Sequence, residues 1–377
     1  MPEAKGPVRL FRRAPDRRAA ILVPWLGRGD AVGNDCEGLA GALCTLGFEV
    51  EIFAGECADG AAARPFVDAR RFLARGRPLA IYQLATLWDA GLALFDSTHA
   101  VRVVRDHNVT PTRFFAFLGG DLAKIQAAAA EQRAALAADP RVALFLPASP
   151  TNAEELIALG AARERIAVVP PFGAFAELAQ APNQRPSVTD GQPPVALFVG
   201  RLVPHKGHRR AMRVAAVYAE LYGEPLHLRF VGASDGSASA WRHVLAREEQ
   251  RLGLRGRIEW HTGVDEAALA QLYATADVFL CCSEHEGFCV PLVEATRLGV
   301  PVVASSLDAF RDTLGPDALV LPRDSDDDAI AAAVRRVVVD RAVRDELVAA
   351  QRAHVTSHFS PSALQESLAR ALAVLPV

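Results

Sequence analysis

The sequence predicts an α/β chain of two doubly wound domains, each a parallel sheet covered by helices on both faces. Three observations carry that expectation. Short, almost wholly apolar runs recur along the chain, stretches of helical period separate them, and the alternation halts at one polar stretch before starting again. Continuous apolar strands alternating with helices are what a sheet buried on both faces requires. At 377 residues, 51% hydrophobic and 23% charged, the chain is long enough for two cores and too apolar for disorder.

The first-half strands are AAILVPWL (19–26), VEIFAG (50–55), LAIYQL (79–84), AVRVVRDHN (100–108), VALFLPAS (142–149) and RIAVVPP (165–171). The second half restarts with PVALFVGRL (194–202) and continues through LHLRFVG (226–232), RIEWHTG (257–263), DVFLCCS (277–283), PVVAS (301–305) and ALVLP (318–322). Helices are expected over 33–47, 151–160, 208–222, 239–252, 265–276, 291–298 and 327–353, with Asp265 as an N-cap and Glu266 in its first turn. The stretch from 174 lacks apolar period and is rich in Pro, Gln, Asn and Ser, which marks a linker. The expected organisation is therefore a first domain over 1–173, a linker over 174–193, a second domain over 194–355 and a C-terminal helix over 356–377, with the first domain as the surface it would pack on. Ligands of such sheets bind where the strands' carboxyl ends meet a crevice.

Composition narrows the function. A formal net charge of −3 gives no pull toward nucleic acid. No apolar run reaches membrane-spanning length, and the basic stretch before residue 19 lacks the apolar core of a signal peptide. The six cysteines form no C-x-x-C pair and suit a reducing compartment. A soluble, cytoplasmic protein is expected.

Two segments carry chemistry. In Ser283-Glu284-His285-Glu286-Gly287-Phe288-Cys289-Val290-Pro291, a strand runs through a turn into a helix with Pro291 in its first turn. The N–H groups of Gly287, Phe288 and Cys289 would then point out of the sheet edge toward phosphate or sugar oxygens. Glu286 in the turn and Glu294 about one helical turn inside could face one ligand from different depths, although E-x7-E spacing also fits two surface glutamates. In Val199-Gly200-Arg201-Leu202-Val203-Pro204-His205-Lys206-Gly207, Arg201 offers a planar fork of donors and Lys206 a point charge, together a diphosphate clamp. Alone, that loop also fits a solvated basic turn; two such loops from one domain strengthen the ligand-binding reading. Asp324-Ser325-Asp326 has the spacing of a metal-binding D-x-D, but these acids open a helix and read better as caps and dipole partners. His205/His208 and His354/His358 have helical-ligand spacing without a third ligand. No strand is followed by G-x-G-x-x-G, which disfavours a dinucleotide dehydrogenase.

GRLVPHKG and SEHEGFCVPLVEA together resemble the C-terminal domain of retaining glycosyltransferases of family 4, the group 1 transferases. YATADVFLCCS and ATRLGVPVVAS extend the likeness over most of 194–305, and GDAVGNDCEGLAGALCTLGFEV (29–50) resembles the family's first glycine-containing loop more loosely. The resemblance implies a GT-B fold, two Rossmann-like domains facing each other across a cleft, and transfer of a hexose from a nucleoside diphosphate sugar with retention. Possible donors include GDP-mannose or a UDP-sugar, the acceptor being a glycan or a lipid-linked glycan. It further implies that Arg201 and Lys206 hold the diphosphate, Glu294 the ribose and Glu286 the sugar hydroxyls, while the backbone at 287–289 caps sugar and phosphate. His107 would face the donor sugar, and Gly33 and Asn34 would approach the diphosphate or acceptor. No cofactor and no metal are expected, the nucleotide sugar being a co-substrate. Other enzymes of the fold, such as a sugar-nucleotide epimerase or a phosphorylase, and a silent scaffold subunit are the alternatives. Two departures stand out: Cys289 replaces the family's usual glycine, and Thr296 its usual methionine.

Family members often act on lipid-linked acceptors, so peripheral contact with anionic membrane at the inner face of the cell is a further expectation. Its candidates are the arginine-rich tail (1–18) and RPFVDARRFLARGRP (64–78), read as a basic helix with an apolar stripe. The stripe also fits packing on the first domain's own core.

Overall fold

The computed structural model describes residues 17–27, 31–118, 121–173, 191–232, 238–305 and 307–376. Most of the expected linker, the tail through residue 16, and Gly29 and Asp30 lie outside them.

The first domain contains β1 (Arg18–Leu26), α1 (Ala31–Thr45), β2 (Glu49–Cys57), β3 (Arg64–Pro65), α2 (Ala69–Leu73), β4 (Leu79–Leu84), α3 (Asp89–Asp96), β5 (Val101–Asp106), α4 (Leu122–Ala138), β6 (Val142–Pro147) and α5 (Pro150–Ala158). Its strands form one parallel sheet in the order β3-β2-β1-β4-β5-β6. Alternate residues of β1 feed opposite faces, as the pleat demands: Ile21 and Val23 join one core, Ala20 and Leu22 the other.

The second domain contains β7 (Val195–Val199), α6 (His208–Tyr222), β8 (His227–Val231), α7 (Ala238–Arg251), β9 (Ile258–His261), α8 (Glu266–Ala274), β10 (Val278–Cys281), α9 (Val290–Arg297), β11 (Val302–Ala304), α10 (Asp308–Leu314), α11 (Asp327–Val339) and α12 (Arg341–Phe359). Its sheet is parallel in the order β11-β10-β7-β8-β9. After Ser360, α13 (Pro361–Leu372) crosses to the first domain, where Gln365 donates to the Ala42 carbonyl at 3.0 Å and Leu364, Leu368 and Leu372 enter the core around Ile21.

Several expectations need correction. A tight turn over Arg163–Arg165 leads into an extended segment that makes a bridge to β6 at Ile166 and a further Val169 N–H bond to the Pro147 carbonyl, and 318–322 makes one bridge at Val320; each is an apolar run beside a sheet, not a rung of it. The expected helix 327–353 breaks at Asp340, whose carboxylate caps α12 through the Ala342 and Val343 N–H groups. Because α12 runs on to Phe359, the expected division at 355/356 falls inside a helix. In the basic stretch 64–78, β3 and a 3-10 turn over Phe66–Asp68 precede an α-helix of only five residues, α2. Phe66 and Phe72 pack against Trp88 and Phe53 and Leu73 is buried, so most of the apolar side faces the domain's own core, while Val67, Arg70, Arg71, Arg75 and Arg77 are exposed. Asp326, by contrast, caps α11 as expected, accepting from the Ala329 N–H, and Asp327 in the first turn also pairs with Arg210 and Arg213.

Candidate active site

Gly207 joins the two sequence motifs. It sits at φ +74°, and a Cβ there would lie 1.9 Å from the Cys282 carbonyl. Only glycine permits both the left-handed backbone and that approach. The loops then share hydrogen bonds: Glu284 N–H donates to the His205 carbonyl at 2.7 Å, and the Ser283 hydroxyl to the Lys206 carbonyl at 3.4 Å. As a result Lys206 Nζ reaches both Glu286 oxygens, at 2.7 and 2.8 Å. Burial pulls the ammonium toward neutrality, but Glu286 outweighs it and the Lys206 pKa stays above the usual lysine range. The expected diphosphate cation and the expected sugar-binding carboxylate are thus partners. Arg201 is exposed near Lys206, close enough for the two positive charges to oppose one another.

Helix α9 begins one residue after Cys289, which adopts φ +75°, ψ +73°. That conformation explains the preference for glycine there and costs a side-chain-bearing residue about 1–3 kcal/mol. The Phe288 carbonyl accepts from the Thr313 hydroxyl at 2.8 Å, and its ring packs on Phe359. Glu294, one turn into the helix, accepts from the Tyr273 hydroxyl at 2.8 Å. Burial raises its pKa, and the tyrosine hydrogen bond offsets this only in part.

Across the cleft, His107 follows β5. Its Nε2 lies 2.6 Å from Gln83 Oε1 and 3.5 Å from Asp35 Oδ2. Asp35 is fully buried and bidentate with Arg105, both contacts at 2.8 Å, and accepts from the Phe172 N–H at 2.7 Å. Burial would raise the Asp35 pKa, yet Arg105 outweighs it and holds the carboxyl below its usual range. Gly33 is buried in α1, where a Cβ would meet the Gly27 carbonyl at 2.4 Å; its missing side chain seats the helix on the end of β1. Asn34 is half-buried beside it.

The two walls meet at Gly287. A Cβ there would lie 2.9 Å from Asn152 Nδ2 and 3.1 Å from the His107 carbonyl and from Asn108 Cβ. Asn108 itself adopts φ +70°, and it and Cys289 are the non-glycine residues of positive φ among those described. Asn108 Oδ1 accepts from the Val109 N–H at 2.6 Å, so its Nδ2 donates to Asn152 Oδ1 at 3.0 Å. This fixes both amides and leaves Asn152 Nδ2 buried without a partner, aimed at the Gly287 turn. The structure thus brings together Lys206, Glu286, Gly287 and His107, with Arg201, Glu294, Phe288 and Cys289 on the same domain edge.

Sequence reasoning missed Asn108, Asn152, Gln83, Asp35 and Tyr273. One signal was present: Arg105 lies inside the apolar run AVRVVRD, and a buried arginine requires an acidic partner. Beyond Gly287 the cleft holds a cavity of about 540 Å³, lined by Arg113, Phe114 and Phe117 of the first domain and by Arg210, Trp241 and Glu284 of the second.

Two doubly wound domains that face one another, with acid–base pairs at the second domain's strand ends, define the GT-B fold. Sucrose-phosphate synthase from Thermosynechococcus elongatus aligns over 94% of this chain and 98% of its own, with TM-score 0.71 and 19% identity. Anabaena HepE, solved with UDP and glucose, aligns over 95% and 100% with TM-score 0.69 and 16% identity. Residues 180–354 match the family model of glycosyl transferases group 1, and the second domain belongs to that family. A GDP-mannose-dependent alpha-mannosyltransferase of Mycolicibacterium smegmatis is 36% identical over 155 residues, 40% of this chain and 36% of the relative. A D-inositol 3-phosphate glycosyltransferase of Acidothermus cellulolyticus is 30% identical over 54% of this chain and 47% of its own length. The match thus spans less than half of each of these two relatives. Another D-inositol 3-phosphate glycosyltransferase, from Catenulispora acidiphila, is 30% identical over 75% of this chain and 66% of its own length.

Proposed function

We propose that this protein transfers a hexose from a nucleoside diphosphate sugar to a glycan or lipid-linked acceptor, with retention at the anomeric carbon and without a metal. The observation that carries the reading is the meeting of Lys206 and Glu286 with Gly287 and the His107–Asn152 wall. It places cation, carboxylate and amide donors around one point between the domains.

In this reading Arg201, Lys206 and the amides opening α9 hold the diphosphate and stabilise the charge it gathers as the glycosidic bond breaks. One preorganised donor of this kind contributes roughly 10²–10³ in rate. Glu294 accepts from the ribose hydroxyls. Glu286 accepts from the sugar hydroxyls while Lys206 turns toward phosphate, and His107 and Asn152 meet the sugar from the first domain. Gly33 and Asn34 border the acceptor side, and the cavity lined by Phe117, Trp241 and Arg113 offers room for a polar acceptor. The sequence relative that uses GDP-mannose and the structural neighbour solved with UDP and glucose support two donor classes.

Among the described residues no helix is long and apolar enough to cross a membrane. Peripheral contact with an anionic inner leaflet would rest on Arg70, Arg71, Arg75 and Arg77, and salt-sensitive co-sedimentation with anionic but not neutral vesicles tests it.

The donor is tested by thermal shift with GDP-mannose, UDP-glucose, ADP-glucose and their nucleotides. Ligand at 100 times its Kd stabilises the fold by about 2.7 kcal/mol. Product anomeric configuration by proton NMR, with EDTA present, tests retention and metal independence. No shift with any nucleotide sugar overturns the reading.

A further inference from the structure

The buried polar cluster behind His107 has a purpose that the donor-site reading does not use. Arg105, Asp35, His107 and Gln83 form one chain of contacts inside the first domain, and three of the four side chains are fully buried. The guanidinium of Arg105 also donates to the Leu146 carbonyl at 3.1 Å and to that of Val169, so it cannot swing away from Asp35. Asp35 is in turn fixed by the Phe172 N–H. A charged pair this enclosed costs desolvation that hydrophobic residues of similar volume would avoid, and through Asp35 it reaches His107 at the cleft.

The geometry points to Gln83 and Asp35 as positioning residues for His107, holding the imidazole in the tautomer with hydrogen on Nε2. This rests on the donor-site reading above. The atom of Gln83 that faces the ring is fixed by the charge beside it. Asp35 Oδ2, 3.5 Å from Nε2, is a fixed anion that accepts and never donates. A lone pair on Nε2 would face that carboxylate; a hydrogen there satisfies both Asp35 and Gln83 Oε1 at 2.6 Å. The tautomer therefore follows from Asp35, and the amide orientation follows from the tautomer. The orientation has a cost, because Gln83 Nε2 is left buried without a partner. A network that accepts this cost is one in which the direction of the histidine ring matters. In the neutral ring Nδ1 is then the acceptor nitrogen.

Asp35 on α1 and Arg105 on β5 lie behind His107. From the second domain Gly287 touches its carbonyl, with Glu286 and Lys206 beside that turn.

Nitrogen-15 NMR of the whole protein reads the tautomer directly, with His107 assigned by its loss in His107→Asn. The wild type is expected to show the Nε2–H form at neutral pH, and Gln83→Ala, which leaves only the 3.5 Å contact to Asp35, the same form in smaller excess. Gln83→Glu places a second anion at Nε2 and should raise the His107 titration midpoint by at least about one pH unit. With a nucleotide sugar that turns over, Gln83→Ala should lower kcat between roughly 10- and 100-fold with donor KM within a few-fold. Gln83→Glu should recover part of kcat and move the pH profile with the NMR midpoint. An Nδ1–H tautomer in the wild type, or an unmoved midpoint in Gln83→Glu, overturns the inference. Should Gln83→Glu not fold, the wild-type and Gln83→Ala spectra decide. The NMR result needs no ligand, so it is independent of whether any nucleotide sugar binds.

Discussion

Lys206 Nζ stands 2.7 Å from one carboxylate oxygen of Glu286 and 2.8 Å from the other, across 80 residues of sequence. The two groups read separately as phosphate and sugar ligands are thus a single ion pair, with side-chain exposures of 16% and 8%. Exchange of this pair for contacts to a bound diphosphate sugar would cost less than desolvating either group alone, because each is already partly dehydrated.

Removing one partner should therefore hurt twice. Lys206→Met or Glu286→Gln should lower turnover by on the order of 10²-fold or more. Lys206→Met alone should also destabilise the protein by a few kcal/mol, about 3–5 at the fully buried limit. Lys206→Met with Glu286→Gln should recover much of that stability and none of the activity. Urea melts of the double-mutant cycle check this; additive losses in stability would argue against a coupled pair.

Gly287→Ala should separate stability from activity. The added methyl would press on the His107 carbonyl and Asn152 Nδ2 at about 3 Å, spreading the two domain walls while leaving each sheet intact. A loss of roughly 100-fold in kcat/KM with a melting temperature within a few degrees is expected. Asn152→Ala removes an unsatisfied amide but also leaves the buried Asn108 Nδ2 without its acceptor. It should therefore cost about 1–3 kcal/mol of stability and also weaken sugar-nucleotide binding relative to the free nucleotide. Equal binding of both by the variant would exclude Asn152 from sugar contact.

For Glu294 the sign of the pH effect follows from its raised pKa. The folded state holds this proton more tightly than the unfolded chain. The stabilising contribution is then present below the ordinary carboxylate range and lost as pH rises through the folded value. At neutral pH the charged carboxylate is a net cost. Glu294→Gln keeps an oxygen for Tyr273 and should melt higher than wild type at pH 8 while binding nucleoside diphosphates at least about tenfold more weakly. A lower melting temperature would contradict the buried-charge argument.

His208 gives the opposite dependence. It is buried against Phe198, Phe230 and Trp260, and burial, assisted by Lys206, lowers its pKa to about 3. Its neutral form contributes stability that is intact above the usual histidine range and is lost as pH falls toward the folded value. His208→Phe should flatten the acid side of the stability curve by up to about 1.4 kcal/mol per pH unit between pH 6 and 4. Chemical denaturation at four pH values measures it, and parallel curves for variant and wild type would refute it.

How legible this was from sequence depended on the kind of signal. The buried strands were visible because a parallel sheet requires unbroken apolar runs, and Asp265 and Asp326 were visible as caps because helix starts need acceptors. Helix α4 was not among the expected helices because alanine covers all its sides and draws no apolar stripe. RIAVVPP looked like a strand because a peripheral extended segment against a sheet has the same composition as a rung of it. At the site, charged ligand types on strand-end loops were readable one by one. Their pairing, the positive φ of Asn108 and Cys289, and the partnerless Asn152 amide arise only when two distant segments are folded together.

The crossing of α13 onto the first domain has a consequence for how the chain is made. Gln365 bonds Ala42 over 323 residues, and Leu364, Leu368 and Leu372 share a core with Ile21 and Val23. During synthesis at about 5–20 residues per second, the first sheet leaves the ribosome tens of seconds before the helix that covers part of it. That apolar face must wait through production of the entire second domain. It is the surface on which a nascent-chain chaperone would act, and emergence of α13, rather than completion of residue 173, sets when the first domain can close.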